Sequence, residues 1–167
     1  MWQVGVWEPE EPVSPLLVEL AEGAGCLIRA CCAPHPTWNT PLDLLVVAPH
    51  GPRAVCLPRC RAALVPGDVA PPQCSAPPPI WVSYGCASCN TLTLSSLTAH
   101  SAAVAVQREF PHLGGGIVER QELVLPYTGP APLPFLAQVG TALLLGLLPR
   151  EGEHFFFRAL RLQNHMI

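Results

Sequence analysis

A chain of 167 residues that is half apolar and only 13% charged is sized for a single domain, residues 1–167, and can bury a full core, which excludes global disorder. Its net charge is −3, with nine basic residues that are all arginine. That balance argues against electrostatic capture of nucleic acid, which needs clustered Lys and Arg.

The lysine-free composition reads chiefly as a GC-rich coding signal, with selection against surface amines as the sharper alternative. The 21 prolines are correspondingly weaker evidence for a Pro-rich binding tract. Residues 1–13 read as an extended lead-in, with Glu8, Glu10 and Glu11 set among prolines. They lack the basic start and apolar run of a secretory signal. Ser14-Pro15 then marks a helix start, a capping hydroxyl followed by proline at the first helical position. Leu16, Leu17 and Leu20 share a face of this short N-terminal helix, and Gly23 is a plausible stop.

Gly25 to Ala33 alternates as a strand. Residues 34–41 form a loop carrying Trp38, and Leu42 to Ala48 is an apolar run with one charge, Asp43, as expected of a central strand. Pro49-His50-Gly51-Pro52 predicts a turn, with Arg53 to Leu57 returning as a hairpin. Arg53, Arg59 and Arg61 are the only basic cluster and read as a solvated turn. Residues 66–79, with Pro66, Pro71, Pro72 and Pro77 to Pro79, form a proline-rich surface loop.

Strand patterns follow at Ile80–Tyr84, Thr91–Leu97, Ala102–Phe110 and Ile117–Tyr127, with Gly114–Gly116 as a turn. Phe135 to Leu148 is a helix too short to span a membrane, which takes about 20 apolar residues, so no transmembrane segment is expected. Phe155 to Leu162 reads as a last strand. The expected fold class is α+β: an antiparallel β-sheet, a meander with one solvated face, packed by the C-terminal helix, with the short N-terminal helix beside it.

The chemistry centres on cysteine. Of eight cysteines, Cys86-x-x-Cys89 follows a strand and can hold two corners of a tetrahedral structural zinc site. Cys56 and Cys60 are the best second pair, and Cys32 with His35 is another. A redox pair of the thioredoxin type requires the motif at a helix N-terminus in a βαβ context; the neighbourhood reads as antiparallel, which disfavours it. Segment 86–90 has the cysteine spacing of a cysteine-hydrolase signature, but Ala87 and Asn90 depart from it. Nothing pairs His100, His112, His154 or His165 with Cys89.

Phosphate loops, dinucleotide fingerprints and zinc-helix motifs are missing, so no catalytic residue is assigned. The expected function is a non-enzymatic protein–protein interaction subunit, or scaffold, of a larger intracellular assembly, cytoplasmic or nuclear. Low charge leaves apolar surface for a protein partner to cover. A zinc-stabilised binding module is the alternative, and a cysteine-dependent hydrolase the third reading. Leu145 on the far side of the C-terminal helix and Phe156 on the last strand are the expected partner contacts.

Overall fold

A computed structural model describes residues 1–34, 36, 38–50, 58–68, 77–127, 129 and 131–147. In chain order its elements are β1 (Trp2–Trp7), α1 (Ser14–Ala24), β2 (Cys26–Cys31), β3 (Leu42–Val47), β4 (Cys60–Pro66), β5 (Ile80–Gly85), β6 (Leu92–Leu97) and β7 (Ser101–Val106). They continue with β8 (Phe110–Pro111), β9 (Ile117–Val118), β10 (Gln121–Pro126) and α2 (Pro132–Leu144). Eight strands form one sheet in the order β10-β7-β6-β5-β4-β3-β1-β2, and β8 and β9 make a small separate hairpin.

The sheet is mixed, not an antiparallel meander. From β2 through β1, β3, β4 and β5 every pairing is parallel. β6 joins β5 in parallel through two residue pairs only, Tyr84↔Leu92 and Gly85↔Thr93. β7 and β10 then pair antiparallel. The physical reason lies in burial. Leu44 to Val47 of β3 and Ala62 to Pro66 of β4 are buried without alternation, and a strand covered on both faces is the mark of a parallel sheet. Segments 48–59 and 67–79 reach the dozen or so residues that a parallel crossover needs.

The turn signal at residues 49–52 suggested a hairpin instead. The structure fills both edges of β3 with the parallel neighbours β1 and β4. The expected returning strand at 53–57 and the last strand at 155–162 lie outside the described residues.

Residues 1–13 are more than a lead-in, since β1 runs between β2 and β3. Asp43, the one charge in β3, accepts a hydrogen bond from the Gln3 amide at 2.8 Å and pairs with Arg61 at 3.2 Å. It thereby ties β1, β3 and β4 at their amino ends. Helix α1 is capped differently from expectation. Instead of Ser14 capping with its own hydroxyl, Glu8 at the end of β1 accepts from the Val13 and Ser14 amides, both at 2.7 Å, and from the Ser14 hydroxyl. A carboxylate there satisfies orphan amides and complements the helix dipole.

Both helices lie on one sheet face. The main core joins Leu17 and Leu20 of α1, Leu136, Val139 and Leu143 of α2, and Val4, Val6, Leu44, Val46, Leu64, Val82 and Tyr84 of the strands. Gly140 sets the distance of α2: a Cβ there would come within 2.9 Å of Leu64 and Leu92 side-chain carbons. Gly146, in the left-handed region at φ 79°, ends the helix. The amides of Gly146 and Leu147 reach back to the carbonyls of Leu143 and Ala142, the paired bonds of a Schellman stop. The opposite sheet face carries a smaller cluster of Trp7, Leu42, Leu45, Val47, Ala63 and Val65, with Trp38 and Trp81 packed on it. Among the described residues no helix is long and apolar enough to cross a membrane.

Candidate functional site

Parallel strands carry their ligand and reaction sites preferentially beyond their carboxyl ends, where connecting loops gather. Here β4 and β5 end side by side, with Pro66 paired to Tyr84. Two loops leave at that point, Gly67-Asp68 and the cysteine loop Cys86 to Thr91. Asp68 joins them. Its carboxylate accepts from the Cys86 amide at 2.6 Å, from the Ala87 amide at 3.1 Å and from the Asn90 side-chain amide at 2.7 Å. Charge-assisted bonds of this kind are about twice as strong as neutral ones.

The cradle leaves no room for side chains. A Cβ on Gly67 would lie 1.7 Å from Asn90 Oδ1, and one on Gly85 would lie 2.5 Å from the Asp68 carboxylate. Asn90 itself is 1% exposed. Its backbone amide closes a turn onto the Ala87 carbonyl at 3.1 Å. Thr91 is tied back to β5 through the Ser83 hydroxyl, which accepts from its amide at 3.0 Å. From the antiparallel side, the Arg108 guanidinium donates to the Cys89 carbonyl at 2.9 Å.

Partial burial raises the Asp68 pKa, but the bonds from Cys86, Ala87 and Asn90 outweigh it and hold the carboxyl below its ordinary value. These contacts fix the backbone of the loop. Cys86 and Cys89, in contrast, are exposed and carry free thiols.

Of the expected zinc ligands the structure describes Cys60, Cys86 and Cys89, and it places Cys60 far from the other two. Cys60 opens β4, half-buried, whereas Cys86 follows the end of the parallel neighbour β5. At about 3.3 Å per residue the length of β4 separates them by roughly 20 Å. Cys56 and His35 lie outside the described residues, and Cys32 is exposed in the loop after β2. Among the described residues no group of three or more His, Cys, Asp or Glu side chains is placed to hold a metal. Of the histidines considered as bases for Cys89, His112 Nδ1 accepts from the Gly114 amide at 3.1 Å and His100 sits in the exposed turn between β6 and β7, while His154 and His165 lie outside the described residues.

Leu145 is 7% exposed and belongs to the main core; the end of α2 is closed in by the β8–β9 segment, where the Leu144 carbonyl accepts from the Leu113 amide at 2.8 Å. Phe156 lies outside the described residues. Sequence reasoning passed over Asp68, Asn90 and Arg108. The available signal was a Gly-Asp step and a Gly-Cys step, each directly after an apolar strand. That signal acquires meaning only when the two strands are parallel and adjacent.

The surface offers a second feature. β2 and β10 are the two ends of the sheet, and they differ in character. β10 is flanked by Glu119 and Arg120, carries Glu122 and ends on Pro126. β2 reads Cys-Leu-Ile-Arg-Ala-Cys, without proline and with one charge, Arg29, which bonds to Thr40 at 3.1 Å. Leu27 and Ala30 on β2 are exposed.

Compared with protein-family models, with curated proteins and with solved structures, the chain has no match in any of the three.

Proposed function

We propose that this chain is a non-enzymatic protein-binding subunit of an intracellular assembly and that its partner adds an extended segment along the outer edge of β2. One observation carries this reading. β2 is a six-residue strand that pairs on one side only among the described residues, with no proline and a single charge, Arg29, whose guanidinium is bonded to Thr40. Edges are ordinarily protected by charged side chains, lysine above all, by proline, by bulges or by short length. An edge with so little of this protection offers a row of backbone donors and acceptors, and strand addition uses those for affinity and alternate side chains for specificity. Leu27, 37% exposed, and Ala30 provide the side-chain contacts.

The low charge of the whole chain agrees with a surface that is normally covered. An intracellular setting agrees with the exposed thiols of Cys32, Cys86 and Cys89, since reducing compartments keep such thiols reduced.

The test is a purification from cells of the wild type beside the double variant Leu27→Lys, Ala30→Lys. The expected result is a co-purifying chain that the variant loses while its melting temperature stays within a few degrees. Hydrogen exchange should show β2 amides protected in the complex and open in the free chain. A co-purifying chain that protects β10 instead, or a variant that retains the partner in full, overturns the edge assignment. A monodisperse wild type with no co-purifying chain and no apolar-dye binding overturns the function itself.

A further inference from the structure

We propose that Cys86 and Cys89 form a solvent-facing dithiol that exchanges with small-molecule disulfides, closing to a Cys86–Cys89 disulfide and reopening. Three observations lead there. Both thiols are exposed and free. They stand two small residues apart, Ala87 and Ser88, on a segment that turns continuously from Cys86 to Thr91 and closes through the Asn90-to-Ala87 bond. That bond closes the four-residue turn Ala87–Asn90, whose end Cα atoms lie within about 7 Å. Cys86 directly precedes the turn and Cys89 is its third residue, so the two cysteines stand three positions apart on one continuous bend, and a disulfide needs their Cα atoms brought within about 7 Å.

The third observation is the way the loop is held. Asp68 and Arg108 grip backbone atoms at Cys86, Ala87 and Cys89, and Asn90 is buried beneath them. The loop is therefore positioned without using either sulfur. No third ligand-type side chain stands by to complete a metal site among the described residues. The strands that frame this loop, β5 and β6, are parallel rather than antiparallel, but Cys89 leads into β6 and not into a helix, so the pair is not of the thioredoxin type and its exchange rests on exposure and spacing alone.

The exchange balances in two steps. The thiolate of one cysteine attacks a sulfur of the disulfide RSSR. The RS–SR bond breaks, a protein–SR bond forms, and RS⁻ leaves with the electron pair and takes up a proton. The thiolate of the second cysteine then attacks the protein sulfur of this mixed disulfide. The Cys86–Cys89 bond forms and the second RS⁻ leaves. The dithiol has lost two electrons and two protons, and RSSR has become two RSH. An excess of reduced thiol drives the same steps backwards.

Glutathione is the probe. The full chain is equilibrated across ratios of oxidised to reduced glutathione, quenched with acid, alkylated and cleaved after arginine. The fragment of residues 62–108 is then sequenced by mass spectrometry, which separates Cys86 and Cys89 from Cys74. The expected result is a loss of two hydrogens confined to residues 86–89, complete at high oxidised glutathione and reversed by excess reduced glutathione. Cys86→Ser and Cys89→Ser, both at exposed positions, should each stop at a single glutathione adduct on the remaining thiol of the pair. Full alkylation of both thiols at every ratio overturns the proposal. So do separate glutathione adducts on both cysteines of the wild type, or a disulfide linking either of them to Cys74. Retention of about one zinc or copper(I) ion per chain through gel filtration, with both thiols then protected from glutathione, also overturns it and makes the pair a metal site.

Discussion

The parallel half of the sheet and its antiparallel wing obey different rules. β3 and β4 are buried on both faces, with Leu44, Leu45, Val46, Ala62, Ala63 and Leu64 all at zero exposure. β10 is buried on one face only: Leu125 packs into the core while Val124 stands 72% exposed. The parallel half gains from burial twice per residue pair, and the wing gains once. Apolar burial stabilises by about 25 cal/mol per Å², so stability should concentrate at β3, β4 and α2. The cysteine loop sits at the seam, anchored to the parallel half through Asp68 and to the wing through Arg108.

Substitution tests this contrast most severely at Leu64. It is fully buried beneath Gly140 of α2, and Leu64→Ala should cost about 2–5 kcal/mol in a urea titration. Val124→Ala, in the wing, should fall within about 0.5 kcal/mol of wild type. Comparable losses at both positions would break the distinction between the halves.

Gly140→Ala probes the seam between α2 and the sheet. Alanine favours a helix over glycine by about 1 kcal/mol. Here its methyl would overlap Leu64 and Leu92, both closed in by the core, and overpacking of this kind costs about 1–3 kcal/mol. We expect net destabilisation, read as a lower thermal midpoint. A stabilised variant would show that α2 lifts from the sheet freely.

A smaller effect is expected at Asp68, whose loop is open to solvent. Asp68→Ala removes three hydrogen bonds, but water can replace them at the Cys86 and Ala87 amides, so the loss should be about 1–2 kcal/mol. The sign of the pH dependence follows from the lowered carboxyl. A depressed pKa contributes stability that is fully present above the unfolded value of about 3.9 and is lost as pH falls through the lower folded value. The stability difference between wild type and Asp68→Asn should therefore be fully present above about pH 4 and shrink as the pH falls below it. A constant difference across that range would remove the carboxylate charge from the account.

The smallest change in stability belongs to the β2 edge. Leu27→Lys, at an exposed position, should move stability by no more than about 0.5 kcal/mol, although the same change is expected to weaken partner binding. A melting temperature lowered by ten degrees would mean that Leu27 is a packing contact of the fold rather than a free position on the edge.

The chain's own pattern determined where most elements lie. Alternating or continuous apolar runs marked β2, β3, β5, β6, β7 and β10. Proline followed by an apolar stripe marked α1, and the leucine-rich stretch after Pro134 marked α2. These are local properties, set by side-chain periodicity and backbone preference within a few residues. Pairing direction was not local. A continuous apolar run is compatible with either sense, and a turn signal such as residues 49–52 describes a bend without saying where the chain goes next. Only the assembled sheet decided that β1 is an inner strand, that Glu8 caps α1, and that Leu145 faces the core. The site followed the same division. Cys86 and Cys89 stood out by spacing alone, whereas Asp68, Asn90 and Arg108 gained their roles only when β4 and β5 came to end together. Contacts between residues 18 to 22 apart, such as Asp68 with Cys86 and Asn90, depend on strand register, and register is a property of the packed sheet rather than of any one segment.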